Sequence, residues 1–339
     1  MPGETFEDMP GLEALRDYRR HAEWALVPAI ALELGVVDSL ADGPESAGGL
    51  AASLGLSSRG VDALLGALAE LGAVRQEGDL YRLTGGGRAY LLDPTSPDFQ
   101  RPSLLHWLAG IRRWSTALDD SVRSGEPHGG GSTGSGGPKP GDVGRFMEAM
   151  ANKPGDVVER VVREVVWRAG NPRSLLDLGG GPGNFARAFA ALGIRTTLYD
   201  RPEVIAHVRS AFALDEVADL ELAEGNFLER IPPGPFDVVL AANISHIYSA
   251  EANRLLFRRA AGSVAPGGYV AIFDFVRGRS EFASLFAITM LLATEAGGTY
   301  TLEDYASWLG EAGFTGIRCT AISNETHLVT AIKARDTGE

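Results

Sequence analysis

Apolar residues recur along the chain in two rhythms, and the change between them divides it. From residue 12 to 92 the period is helical. Trp24, Val27, Ile30, Ala31 and Leu34 fall on one face, and Gly35 stands where a helix would end in a left-handed cap. Leu50 to Leu56 reads as a short helix and turn. Ser57 or Ser58 is placed to cap the next helix, whose inward positions are Val61, Leu64, Leu65 and Leu68, with Gly72 at its end. Val74 and the run Leu80 to Thr84 then predict a hairpin around Gly78-Asp79. Helix, turn, helix and hairpin in that order predict a winged helix. Helical patterning returns at Val143 to Met150 and Val157 to Trp167. From Ser174 onward short apolar runs take over. They predict strands at Ser174 to Leu178, Arg195 to Tyr199, Leu220 to Ala223, Phe236 to Ala241, Tyr269 to Asp274, Gly316 to Ile322 and His327 to Lys333. No helical pattern separates the last two, so they are expected to pair as an antiparallel hairpin.

Length and composition turn this pattern into two domains. The chain has 339 residues, 45% of them hydrophobic, enough for two cores. Residues 1–112 read as a winged-helix-like dimerisation domain. Residues 113–172 read as a helical linker holding a flexible Gly-rich insert at 125–142, and residues 173–335 as an α/β domain. A net charge of −13 argues against nucleic-acid or anionic-membrane partners. The would-be recognition helix, Ser58 to Leu71, sets Arg59 against Asp62 and Glu70, where groove binding needs a basic face. One cysteine, Cys319, leaves no intrachain disulfide and fits a reducing cytoplasm. Glu4, Glu7 and Asp8 replace the basic start of a signal peptide, and Phe282 to Thr294 is too short to span a bilayer.

The chemistry concentrates at the first α/β turn. In Ser174-Leu-Leu-Asp177-Leu-Gly179-Gly-Gly181-Pro-Gly183-Asn184 an apolar run ends in an acid, breaks into glycines and resumes as helix at Phe185. Glycine lets the backbone turn sharply and lets a ligand approach without a Cβ in the way. The helix start offers free N–H groups. Dinucleotide binding requires G-x-G-x-x-G, but Asn184 stands where the third glycine belongs, and the spacing is G-x-G-x-G. Asp200 ends the second strand, where an acid can hold both hydroxyls of a ribose. Loop and acid together resemble the S-adenosylmethionine (SAM) site of class I methyltransferases; a strand-turn-helix without ligand is the plainer alternative.

Over nearly its whole length the chain resembles the plant-type, or caffeate-type, SAM-dependent O-methyltransferases and their bacterial natural-product relatives. Ala31 to Asp38 resembles that family's dimerisation helix, and Asp177 to Gly183 its cofactor loop. Asp200-Arg201-Pro202-Glu203 resembles the ribose-binding segment and Gly225-Asn226-Phe227 the adenine cradle. Asn243-Ile-Ser-His246-Ile-Tyr-Ser249 resembles the segment with the catalytic histidine. The resemblance implies a Rossmann-like seven-stranded sheet, a homodimer, and metal-free methyl transfer to a phenolic or similar hydroxyl of a small molecule. It implies cofactor contacts from Asp177, Gly179, Gly181, Gly183, Asp200, Arg201, Gly225, Asn226, Phe227 and Asn243. Three departures stand out. Asn226 replaces the adenine-binding acid, and Ala242 replaces a lysine four residues before the histidine. The two framing glutamates correspond to Asp274 and, across a gap, Thr299, with Glu295 as a substitute.

Methyl transfer from a sulfonium needs alignment and removal of one proton. A neutral imidazole is a suitable base toward a phenol at pH 7, and an adjacent carboxylate would fix its tautomer. His246 and Asp274 are the candidates, His246 lying beyond the fourth predicted strand on the ligand side of an open sheet. Met150 is a candidate near the substrate; Met147 reads equally as core. Phe185 and Phe227 either flank the cofactor or pack. Trp107, Ile111, Trp114, Phe286 and Met290 either line a pocket or belong to a core or dimer interface. His207 and His327 read as structural, and His21, His106 and His128 have no motif around them. C-methylation, a non-methylating reaction such as hydroxylation, and a SAM-binding dimer without turnover remain as alternatives.

Overall fold

The computed structural model describes residues 15–127 and 140–335. Glu4, Glu7, Asp8, His128 and most of the Gly-rich insert lie outside them. Contacts divide the chain into two units, meeting between Arg112 and Arg113.

In the first unit α1 (Leu15–Glu33) stops at Gly35, whose φ of 77° is left-handed, and α2 (Val36–Ser39) follows. Next come β1 (Glu45–Ser46), α3 (Ala47–Leu54), α4 (Ser58–Glu70), β2 (Val74–Glu77), β3 (Leu80–Leu83), α5 (Gly85–Leu91) and α6 (Arg101–Ser124), in which the unit boundary falls. β2 and β3 form the predicted hairpin, and β1 adds to its far side by pairing with β3. Ser57 does occupy the N-cap of α4, but its side chain makes no capping bond; the serine that caps is Ser46, which accepts from Gly49 N–H at the start of α3. Ala31, Leu32, Val36 and Val37, from the segment likened to a dimerisation helix, point into this unit's own core with Leu50, Leu65 and Leu68. Leu34 alone of that stretch's large apolar side chains is well exposed, at 41%.

The second unit holds α7 (Val143–Ala151), α8 (Gly155–Ala169), β4 (Ser174–Leu178), α9 (Asn184–Ala190), β5 (Arg195–Asp200), α10 (Pro202–Ala211), β6 (Leu220–Glu224) and β7 (Phe236–Ala242). It continues with α11 (Ala250–Ser263), β8 (Val264–Asp274), β9 (Val276–Arg277), α12 (Ala283–Ala293), β10 (Tyr300–Thr301), α13 (Leu302–Glu311), β11 (Phe314–Ala321) and β12 (His327–Lys333). Seven strands make one sheet in the order β11-β12-β8-β7-β4-β5-β6. β8, β7, β4, β5 and β6 are parallel; β12 runs against β8 and β11 against β12, as a hairpin without an intervening helix requires. β8 starts five residues earlier than its apolar run predicts, because Val264 already pairs with Phe236 across a register shift. Leu256, Phe257 and Trp308 pack on one face of the sheet; Val161, Val165, Phe185 and Phe189 pack on the other. The strand order reverses between β4 and β7, so the loops after these strands diverge around a crevice, the usual ligand position in such sheets.

Candidate active site

The glycine loop lies at that switch point. Gly179 N–H bonds to Tyr199 O at 2.8 Å, turning the chain over the sheet edge. A Cβ on Gly179 would stand 2.7 Å from Ile244 Cγ2, and one on Gly183 (φ 82°) 2.9 Å from Leu214. Side chains are therefore excluded on both sides of the loop. Asp200 faces it: Oδ2 accepts from Gly181 N–H at 2.9 Å and Oδ1 from Arg201 N–H at 2.7 Å. A carboxylate has about four acceptor positions. Two are used, and two remain for a pair of ribose hydroxyls. Arg201 pairs with Glu203 at 3.0 Å. Gly225 sits where a Cβ would meet the Tyr199 hydroxyl, which donates to Arg230 O. Phe227 is buried edge-on against Tyr248 and beside Gly179. Asn226 spends its amide locally: Oδ1 accepts from Leu228 N–H and Nδ2 donates to Glu229. One lone pair is left for an adenine amino group. Asn243 adopts φ 56°, unusual for a side-chain-bearing residue, and its buried Oδ1 has no partner among the described residues. These open acceptors and the glycine cradle fit an adenosine-bearing ligand. Asp177, by contrast, lies under the loop at 0% exposure, with no partner within hydrogen-bond distance of either oxygen among the described residues. Burial, reinforced by the charge of Asp200, pushes its carboxyl up to about 8 against a weaker pull from the Ala186 N–H.

The catalytic candidates meet. A short turn, Ser245–Ile247, follows β7 and sets His246 Nδ1 2.7 Å from Asp274 Oδ1, at the end of neighbouring β8. Asp274 is 1% exposed and saturated with donors. Oδ1 also accepts from Phe275 N–H at 2.8 Å; Oδ2 accepts from Ser245 Oγ–H at 2.6 Å and from His246 N–H at 3.3 Å. Burial alone would raise this carboxyl, but His246, Ser245 and Phe275 outweigh it and hold it below the usual carboxylate range. Ser245 Oγ also lies 2.8 Å from the Tyr305 hydroxyl. Because Ser245 gives its only proton to the carboxylate, Tyr305 must donate to Ser245. The chain of donors therefore runs from Tyr305 through Ser245 to Asp274. On the other side His246 Nδ1–H donates to Asp274, leaving the lone pair on Nε2. Phe286 meets the imidazole edge-on with centroids 4.9 Å apart, and Phe275 lies at 6.0 Å.

Several candidates fall elsewhere. Thr299 is buried, with its hydroxyl donating to Ala283 O, and Glu295 is exposed, so His246 has one carboxylate partner, Asp274. Met147 is core beneath the loop; Met150, half-buried, has its carbonyl tied to Asn184 Nδ2 at 3.0 Å. Phe185 packs edge-on to Phe273. Met290 is buried in α12. Trp107 and Ile111 belong to the first unit, and Trp114 follows just past the boundary. His207 packs edge-on to Phe212, and His327 pairs in register with Asp274 at the start of β12. Cys319 is half-buried in β11. Tyr305 and Lys153 have no motif to mark them; Ser245 lies within the histidine segment, and its signal is a hydroxyl directly before the histidine at the exit of an apolar strand. Among the described residues no group of three or more His, Cys, Asp or Glu could hold a metal ion, and no helix is long and apolar enough to cross a membrane.

A seven-stranded sheet of this order, with a glycine loop and a ribose-type acid at its switch point, defines a class I methyltransferase. Residues 118–315 match the model of the O-methyltransferase domain, and residues 27–93 that of the O-methyltransferase dimerisation domain. The tetracenomycin polyketide synthesis 8-O-methyl transferase TcmO of Streptomyces glaucescens is 30% identical over 92% of this chain and 93% of its own. The mitomycin biosynthesis 6-O-methyltransferase of Streptomyces lavendulae is 28% identical over 89% and 88%. The crystal structure of human N-acetylserotonin methyltransferase in complex with SAM shares the fold with a TM-score of 0.77, at 24% identity over 98% of this chain and 99% of that one. The chain belongs to the O-methyltransferase family, and its reaction is SAM-dependent.

Proposed function

We propose that the acceptor is a hydroxyl of a small aromatic or polyketide-like natural product, and that His246 is the base that deprotonates it. The observation that carries this reading is the buried 2.7 Å contact between His246 and Asp274, beside the glycine loop. SAM, when bound, supplies a methyl group on a sulfonium that an oxygen nucleophile displaces in line. The chain's own part is to hold that oxygen and remove its proton. His246 Nε2 would take the proton of that oxygen as it becomes the nucleophile. Asp274, held ionised by its donors, balances the imidazolium and keeps Nδ1 protonated. Phe286 and Phe275 give the base an aromatic surround suited to a flat acceptor. Relatives named for tetracenomycin and mitomycin biosynthesis support the acceptor class. The residues reserved for the cofactor are Asp200, the loop Gly179–Gly183, Arg201, Gly225, Asn226, Phe227 and Asn243; Asp177, sealed beneath the loop, supports it rather than touching the cofactor. Met150 is kept as the candidate beside the acceptor. The functional form is a homodimer built mainly from residues 12–110, consistent with the dimerisation-domain match, and the single cysteine suits a reducing cytoplasm.

A panel of phenolic and polyketide hydroxyls, scored by release of S-adenosylhomocysteine, identifies an acceptor. His246→Gln is then expected to slow transfer about 10²–10⁴-fold at pH 7 while SAM binding by calorimetry is retained. A variant within a few-fold of wild type that binds SAM normally removes His246 from the mechanism.

A further inference from the structure

Lys153 lies between α7 and α8 and is half-buried. Among the described residues its ammonium has no hydrogen-bond or ion-pair partner. Instead its Nζ stands 5.5 Å from the centroid of Phe273 and 5.9 Å from that of Phe185. Burial pulls its pKa down, and the charge of Asp274 acts against that pull. Asp274 is no contact partner, because both of its oxygens are taken by His246, Ser245 and Phe275. The two rings hold the cation only in part, since a desolvated cation over an aromatic face gains roughly 2 kcal/mol at best. A cation so placed is poised for an anion that arrives with a ligand.

Its position says which one. Phe185 is the second residue after the glycine loop, and Phe273 directly precedes Asp274. Asn184, at the start of α9, donates to the carbonyls of Met150 and Ala151, which pins the end of α7 two residues before Lys153. The ammonium therefore lies between the cofactor loop and the catalytic carboxylate. Asp200 and Gly225 take the adenosine end of the cofactor on the far side of the loop, and the methyl must reach an acceptor at His246. The amino-acid end of the cofactor, beyond its sulfur, carries a carboxylate.

We propose that Lys153 is a carboxylate-binding residue of the cofactor site, pairing its ammonium with the α-carboxylate of SAM. The proposal rests on the methyltransferase reading of the loop. It adds a residue outside every segment that resembles the family's cofactor motifs, and it explains why the chain leaves a lysine unpaired there.

The test is calorimetry on the full-length protein with two nucleosides. S-Adenosylhomocysteine carries the carboxylate; 5′-methylthioadenosine keeps the adenosine and sulfur but lacks it. Lys153→Met is expected to weaken S-adenosylhomocysteine roughly 10- to 100-fold, as for a charge-assisted bond, and to leave methylthioadenosine within about two-fold. Lys153→Arg is expected to keep most of the S-adenosylhomocysteine affinity. Equal loss of both nucleosides in Lys153→Met marks a structural role and overturns the proposal, as does unchanged S-adenosylhomocysteine binding. If Lys153→Met does not fold, Lys153→Gln and Lys153→Arg decide: the same affinity in both shows that charge plays no part. Failure of the wild type to bind either nucleoside would count against the methyltransferase reading instead.

Discussion

Asp177 and Asp274 occupy matching places and end in opposite states. Each sits near the C-terminal end of a central parallel strand, β4 and β8, and each is sealed from solvent. Asp274 collects four donors and stays below the usual carboxylate range; Asp177 has only a weak pull from the Ala186 N–H and rises to about 8. Depth is the same, so depth does not decide charge. Donor supply does. The donors come from local geometry. The turn after β7 delivers Ser245 and His246 to the end of β8, whereas the turn after β4 is made of glycines that bring no side chain. The carboxylate proposed to balance an imidazolium is wired to stay charged, and the one that supports a loop is left neutral.

Neutralising each carboxylate in turn tests this contrast. The largest effect is expected for Asp274→Asn. The amide keeps the shape and can still accept from His246, but it removes the counter-charge of the imidazolium. Transfer should slow about 10²–10⁴-fold with SAM affinity held within a few-fold. Single-turnover rates with an identified acceptor decide the matter, and a loss below ten-fold would put Asp274 in the same supporting class as Asp177.

A smaller effect is expected one bond further out. Ser245→Ala removes a donor from Asp274 Oδ2. The carboxylate keeps its charge and its bond to His246 Nδ1–H, so transfer should slow only a few-fold, with SAM affinity unchanged. Tyr305→Phe, one hydroxyl more remote, should cost less. Single-turnover rates with an identified acceptor measure both. Rates equal to wild type in both variants show the hydroxyl pair to be packing alone.

What the sequence reveals and what it hides follow the same division. The glycine loop, Asp200, His246 and all seven strands of the sheet are legible because each is encoded within a few adjacent residues. Asp274 is legible because it ends a clear apolar run. Tyr305 lies sixty residues from Ser245, and Lys153 meets rings from α9 and β8, so no local spacing marks either. Pairing of β1 with β3 needs the hairpin to be formed first. The absent capping bond at Ser57 and the local engagement of Asn226 depend on rotamers, which a residue type does not specify. The same limit hid the direction of Ala31, Leu32, Val36 and Val37: a helical stripe shows that a face is buried, not whether its own unit or a second copy buries it.

The smallest effect on activity is expected for Asp177→Asn. At pH 7 a carboxyl that titrates near 8 already carries its proton for the most part, so the neutral amide replaces a group that is neutral in the folded enzyme. Turnover and SAM affinity should stay within a few-fold of wild type. The substitution should instead appear in stability. Below about pH 4 the Asp177 carboxyl is protonated both folded and unfolded and favours neither state. As pH rises from about 4 to about 8 the unfolded chain releases that proton while the folded chain keeps it, so this residue progressively lowers stability. Above about 8 the penalty is complete. Asparagine cannot titrate and should flatten this slope. Urea midpoints of wild type and Asp177→Asn at pH 5 and pH 8 measure it: the wild type should lose more stability across that interval than the variant. Equal losses would mean that Asp177 is ionised in the folded protein like Asp274, and the two buried carboxylates would then differ in partners but not in charge.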